Sequence, residues 1–382
     1  MNIKKNELKK ALDSVKLFVD DKGINPNGAY VHFINENNRA MLFATDFTAA
    51  ARAFFDTETV EKFEFCISFN QLKSLTNLRG AEIVAEKFTD RENANGEKTA
   101  GIEFKDSKTK IVYSLHDSKD LETLEKRCNV SKIAETVKPI LWLGKDLKKA
   151  MSVGGYARNE KETQNLGLSG VKFEFKADGN VSLTSTDRTR IAVCGEALTP
   201  DIIDPVAVEG VMSDKTIRSL SSFDDEDNVQ IFITDTQFVM VTKNLETFVP
   251  KINNNFPDVA RFFEGEKDLS YQVVIKDLLE SLEVLSVANN EDICLEFTEK
   301  QLKLSTVNDG SYIEDFIDAV RTVGTEDKKL WVSTSLFTDI IKALSKEEKI
   351  NFDFSSAIPA LWYSIEKKDN MDIYGILAPK RK

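Results

Sequence analysis

The residues of this chain with the most chemistry in them are two histidines, four cysteines and a few acidic turns. His32 lies in the alternating stretch Tyr30-Val31-His32-Phe33 and His116 in a polar segment. Neither has a partner at metal-ligand spacing, so no metal site is expected. Cys66, Cys128, Cys194 and Cys294 are far apart with apolar neighbours, which predicts buried reduced thiols. Gly154-Gly155 is not followed by the Gly-Lys-Ser/Thr of a phosphate loop, and Leu168-Ser169-Gly170 lacks the flanking glycines of a nucleophile elbow. The run Asp224-Asp225-Glu226-Asp227 reads as a solvated turn. Thr45-Asp46, Thr186-Asp187 and Asn308-Asp309 recur after similar strands, where the carboxylate should accept local backbone N–H bonds. No catalytic constellation assembles, and no cofactor is expected.

Basic residues are placed more systematically. They sit on short amphipathic segments that recur along the chain: 6–15, 69–75, 144–151, 213–220, 275–282 and 334–344. With Leu8, Leu72, Leu147, Ile217, Leu278 and Phe337 as anchors, the intervals are 64, 75, 70, 61 and 59 residues. Alternating strands fill the gaps. Val171-Lys172-Phe173-Glu174-Phe175, a Gly179-Asn180 turn and Val181-Ser182-Leu183-Thr184 form one hairpin. Ile293–Phe297 with Leu302–Ser305, and Tyr30–Phe33 with Met41–Phe43, repeat it. Two units per domain then give three domains, 1–138, 139–265 and 266–382, with linkers at Cys128–Pro139 and Phe263–Ser270. The fold class is α+β.

Net charge is −12, the wrong sign for a conventional nucleic-acid-binding domain. A DNA role therefore requires basic residues confined to one surface, or retention by topology rather than affinity. No apolar run approaches the ~20 residues of a membrane span, and the N-terminus lacks a signal-peptide core, so a cytoplasmic location is expected.

Three segments carry a family resemblance: Leu168-Ser169-Gly170-Val171 through Thr186-Asp187-Arg188-Thr189-Arg190-Ile191-Ala192-Val193, then Asn255-Phe256-Pro257-Asp258, then Tyr374-Gly375-Ile376-Leu377-Ala378-Pro379-Lys380-Arg381. In order and separation they resemble the β sliding clamp of bacterial replicative DNA polymerase. Arg188-Thr189 stands where that family has Gly-His, Lys382 replaces a terminal apolar residue, and the 156–167 loop is longer than usual.

The resemblance implies three similar clamp domains in a ring, helices inside and sheets outside, encircling duplex DNA without catalysis. Implied partners are double-stranded DNA, a replicative DNA polymerase, a clamp loader and a second copy of the chain, with no membrane. The DNA-facing set would be Lys9, Lys10, Lys73, Arg79, Lys148, Lys149, Arg158, Lys215, Arg218 and Lys342. A partner-peptide pocket would use Leu168, Thr186, Arg190, Ile191, Pro257, Arg261, Phe262, Ile376, Leu377, Ala378, Pro379, Lys380 and Arg381. Ring closure would place Ile111 and Tyr113 against Leu285 and Val287. The alternative reading is a DNA-independent, repeat-built interaction scaffold.

Overall fold

A computed structural model describes residues 1–23, 25–92, 98–197, 207–308, 311–367 and 370–381. Six times the chain runs strand, helix, three strands. The first two repeats are β1 (Asn2–Lys4), α1 (Lys5–Val15), β2 (Tyr30–Glu36), β3 (Arg39–Thr45), β4 (Ala50–Asp56), and β5 (Phe63–Ser68), α2 (Phe69–Ser74), β6 (Glu82–Glu92), β7 (Lys98–Lys105), β8 (Lys110–Ser114). Two further helices follow, α3 (Lys119–Arg127) and α4 (Val130–Ala134). The middle repeats are β9 (Ile140–Leu143), α5 (Gly144–Gly154), β10 (Val171–Phe175), β11 (Asn180–Thr186), β12 (Arg190–Ala197), and β13 (Val208–Met212), α6 (Asp214–Ser219), β14 (Asn228–Ile233), β15 (Gln237–Val241), β16 (Leu245–Pro250). The last are β17 (Leu269–Val274), α7 (Ile275–Ser286), β18 (Asp292–Phe297), β19 (Gln301–Asn308), β20 (Ser311–Val323), and β21 (Lys328–Ser333), α8 (Thr334–Ala343), β22 (Lys349–Phe354), β23 (Leu361–Ser364), β24 (Met371–Leu377).

The repeats form because each helix has one apolar stripe and each strand one apolar face. In α1 the stripe is Leu8, Ala11, Leu12 and Val15, all buried. A capping box starts α2, with Ser68 accepting from the Gln71 amide and Gln71 returning the bond. Five of the six anchor residues are buried, but Ile217 is only half-buried and Thr216 takes the inward position in α6. Gly144 begins α5 where a Cβ would sit 2.2 Å from the Asp224 carbonyl, so only glycine fits. That contact arises because 224–227 folds back as a turn, with the Asp224 amide bonded to the Asp227 carboxylate at 3.1 Å.

The leading strands are exchanged. β1 pairs with β6 and β5 with β2; β9 pairs with β14 and β13 with β10; β17 pairs with β22 and β21 with β18. Repeats are thus interlocked in twos, one with two, three with four, five with six. Two more pairings join third strands, β4 to β16 and β12 to β24, both antiparallel.

The chain divides into two compact units. One comprises Met1–Asp146 and Lys215–Lys251, with a four-stranded sheet (β1-β6-β7-β8) and an eight-stranded sheet (β5-β2-β3-β4-β16-β15-β14-β9). The eight-stranded sheet carries an apolar cluster of Phe43, Ala50, Cys66, Phe232, Val239 and Phe248, covered by Leu121 and Leu124 of α3 and by Val130, Ile133 and Val137. The segment read as a linker, Cys128–Pro139, therefore contains α4 and packs on the sheet. The other unit comprises Leu147–Asp214 and Ile252–Lys382 and holds a twelve-stranded sheet. All four cysteines are free thiols; Cys66, Cys194 and Cys294 are buried and Cys128 half-buried.

Candidate functional site

The Thr-Asp dipeptides build matching turns. Asp46 Oδ1 accepts from the Thr48 and Ala49 amides at 2.9 and 2.8 Å. Asp187 Oδ1 accepts from the Thr189 and Arg190 amides at 2.9 and 2.7 Å. Each threonine hydroxyl donates four residues ahead, Thr45 to the Ala49 carbonyl at 2.8 Å and Thr186 to the Arg190 carbonyl at 2.6 Å. Phe47 and Arg188 occupy the left-handed region at φ 68° and 74°. Asp309 lies outside the described residues.

In the second unit this turn supports an apolar ladder across β12, β24 and β23. Ile191 stands opposite Ile376, and Ile376 opposite Trp362. Val259 and Phe263 from the Phe256–Phe263 segment, with Ile358 and Ala360, pack over these residues. Phe263 meets Tyr374 edge-on at 4.9 Å between ring centres. The C-terminal tail is tied at both ends: the Ala378 amide donates to the Thr189 carbonyl at 2.9 Å and the Lys380 amide to the Trp331 carbonyl at 2.8 Å.

Beneath the ladder lies a polar network. Arg190 reaches Asp187 at 3.0 Å and Asp339 at 2.9 Å, and its guanidinium lies 5.6 Å from the Tyr156 ring centre. The Tyr156 and Tyr363 hydroxyls bond each other, and burial pushes both phenols well up. Tyr363 lies so close over Gly375 that a Cβ there would meet its hydroxyl at 2.0 Å.

The residues expected in the pocket divide accordingly. Ile191, Ile376, Pro257 and Phe262 belong to the ladder or its covering segment, with Phe262 exposed beside Arg261. Ala378, Pro379, Lys380 and Arg381 form the accessible tail, while Leu377 is buried. Leu168 and Thr186 are buried. Arg190 is 6% exposed and already committed to two carboxylates, so its contribution is to hold the turn. Trp362, Phe263, Val259 and Ile358 were not anticipated. Trp362 was legible in principle as part of the apolar run Leu361-Trp362-Tyr363, but which strand it would face was not.

Of the basic set, Lys9, Lys10, Lys73, Arg79, Arg218 and Lys342 are exposed and Lys148 is half-buried. Lys149 is paired with Glu347 at 2.9 Å, Arg158 with Glu160 and Asp214 at 2.6 and 3.0 Å, and Lys215 with Asp46.

Two strand edges bear on the expected self-association. Among the described residues, β8 pairs only with β7. Residues 311–318 of β20 pair with β19 on one side, and only 319–323 turn to meet β17. On β8, Ile111 and Tyr113 are half-buried and Val112 exposed. Near β20, Leu285 is 2% exposed and faces its own core, because α7 turns Leu278, Leu282 and Leu285 inward. The outward residues of that helix end are Val284 and Val287.

Residues 144–258 match the model of the DNA polymerase III beta subunit, central domain. The chain is 22% identical over 227 residues to the beta sliding clamp of Streptococcus pneumoniae, 58% of each chain, and 25% identical over 215 residues to that of Halalkalibacterium halodurans, 53% of this chain and 54% of that one. The matches thus span little more than half the length of these relatives. Among solved structures it resembles the DNA polymerase III subunit beta of Pseudomonas aeruginosa, with TM-score 0.84, 15% identity and all of both chains covered. It also resembles the Helicobacter pylori beta clamp, with TM-score 0.85, 14% identity and all of both chains covered. In residues 144–258 the chain is thus similar to the central domain of the DNA polymerase III beta subunit, and as a whole it has the fold of the beta sliding clamps.

Proposed function

We propose that the chain is a DNA sliding clamp: a non-catalytic processivity factor that pairs head to tail with a second copy, closes a ring around duplex DNA and tethers a replicative DNA polymerase. The observation that carries this reading is the inventory of third strands. Within the chain, third strands of odd and even repeats join twice, β4 with β16 and β12 with β24. β20 and β8 are the odd and even third strands left over: among the described residues, 311–318 of β20 pair on one side only, with β19, and β8 pairs with β7 alone. Open edges invite pairing, and joining β20 of one copy to β8 of another repeats the internal join and closes the assembly after two copies.

Domains of 1–138, 139–265 and 266–382 would each hold one interlocked pair of repeats. The helices would line the hole and present Lys9, Lys10, Lys73, Arg79, Lys148, Arg218 and Lys342 to phosphates, a mobile contact that reads no sequence. An acidic exterior then accounts for the net charge of −12. A clamp loader would place the ring, and the work would be done in the cytoplasm. The Ile191–Ile376–Trp362 ladder and the tail would receive the apolar side chains of partner peptides.

Sedimentation tests this. The wild-type chain should run as a dimer at micromolar concentration. Val112→Glu with Val284→Glu should give a folded monomer, because both side chains are exposed on the single chain and both charges would be desolvated at the join. A wild-type monomer, or a double variant still dimeric, would count against this assembly.

A further inference from the structure

One cluster in the first unit has no part in the sites above. His32 on β2, Glu64 on β5 and Glu122 on α3 bring one ligand atom each to within 4.8 Å of the others. His32 Nε2 is 2.9 Å from Glu64 Oε1. The imidazole is wholly buried, and its Nδ1 has no hydrogen-bond partner. Glu64 and Glu122 are half-buried and, with His32, line an open cavity beside Lys62 and Lys126.

We propose that His32, Glu64 and Glu122 form a zinc-type divalent metal site that pins α3 to the sheet. One neutral imidazole and two carboxylates balance the charge of one divalent ion, and this N,O,O donor set suits zinc with water completing the shell. Around a tetrahedral ion at ~2.0–2.2 Å, donor atoms lie roughly 3.4 Å apart. The three atoms need close by little more than an ångström, within reach of rotations of the two glutamates. Glu64 turns Oε1 toward His32. Its other oxygen is 3.3 Å from Lys62, a 63% exposed side chain that swings away at little cost. Cys66 stands opposite His32 in the strand register but belongs to the apolar cluster that α3 covers.

Binding through Nε2 moves the ring proton to Nδ1, which has no acceptor. Metal-ligating histidines usually donate that proton to a partner, so the site should be weak, in the micromolar range. The ion would tie β2 and β5 to the helix that covers Cys66 and Phe43. This inference is independent of the ring and of DNA.

Isothermal titration of the full-length chain with zinc chloride should show one ion per chain and raise the thermal midpoint, with Mg2+ giving neither effect. Co2+ as a spectroscopic probe should develop visible absorption, and zinc should protect the 118–137 segment from limited proteolysis. Glu122→Gln, a substitution at the half-buried rim, should weaken zinc binding at least about tenfold and abolish the protection. His32→Gln should do the same if folded, and Glu122→Gln decides the matter if it is not. No zinc heat at the wild-type chain, or undiminished binding by Glu122→Gln, would overturn the site.

Discussion

Arg190 and Lys215 occupy positions where a positive charge suggests a ligand, yet each is already paired with the carboxylate of a Thr-Asp turn. Lys215 bonds Asp46, and Arg190 bonds Asp187. For Asp46, burial pulls the carboxyl up, but the Lys215, Ala49 and Thr48 bonds outweigh it and leave it below its ordinary value. A carboxyl depressed in the folded state contributes its full stability above its unfolded value, and this contribution is lost as pH falls through the folded one. Lys215→Ala should therefore cost about 1–2 kcal/mol at neutral pH, and the difference from wild type should shrink in acid as Asp46 protonates. Denaturant unfolding at a series of pH values measures it; a constant difference would show that the pair does not act this way. The turn chemistry was legible because Thr-Asp recurs in register with the strands. What Asp46 pairs with was not, since Lys215 is 169 residues away. Leu285 was misjudged for a simpler reason: α7 ends with Val284 and Val287 outside its buried stripe of Leu278, Leu282 and Leu285, and composition alone does not say which of these apolar residues points in.

At the scale of elements, the six helices and their strands were readable from periodicity, and α3 was not. Lys119–Arg127 is mostly charged, and Leu121 and Leu124 look like isolated apolar residues until the sheet beneath them is known. Leu121→Ala should cost roughly 2–5 kcal/mol, as for a core leucine, because it is 1% exposed over the Phe43–Phe248 cluster. A cost below 1 kcal/mol, in the same order-of-magnitude terms, would mean that α3 is a loosely attached connector. The tail is the other element whose role follows from its ties. Deleting Ala378 through Lys382 removes the bonds to Thr189 and Trp331 and one side of the ladder. A Gln-Leu-x-Leu-Phe peptide should bind the intact chain with affinity on the order of micromolar, and the truncated one at least tenfold more weakly, with the dimer intact. Equal binding in a fluorescence titration would place the partner site elsewhere.

For the whole molecule, the sixfold period and the resemblance were visible in the residues, while the exchange of leading strands was not. Each leading strand is separated by a helix from the sheet it leaves and joins its neighbour's sheet, a long-range pairing that local pattern does not encode. That exchange locks the repeats in twos, and among third strands it leaves β8 and β20 without a third-strand partner in the chain's described residues. A net charge of −12 argues against tight binding to open duplex, so the proposed clamp would be retained by encirclement. The most direct measurement is retention on nicked circular DNA, loaded by a cognate clamp loader, followed by gel filtration before and after a single restriction cut. The protein should stay with the circle through a salt wash and leave once the DNA is linear. Protein that remains equally bound to both forms, or that never stays on the circle, would contradict the clamp.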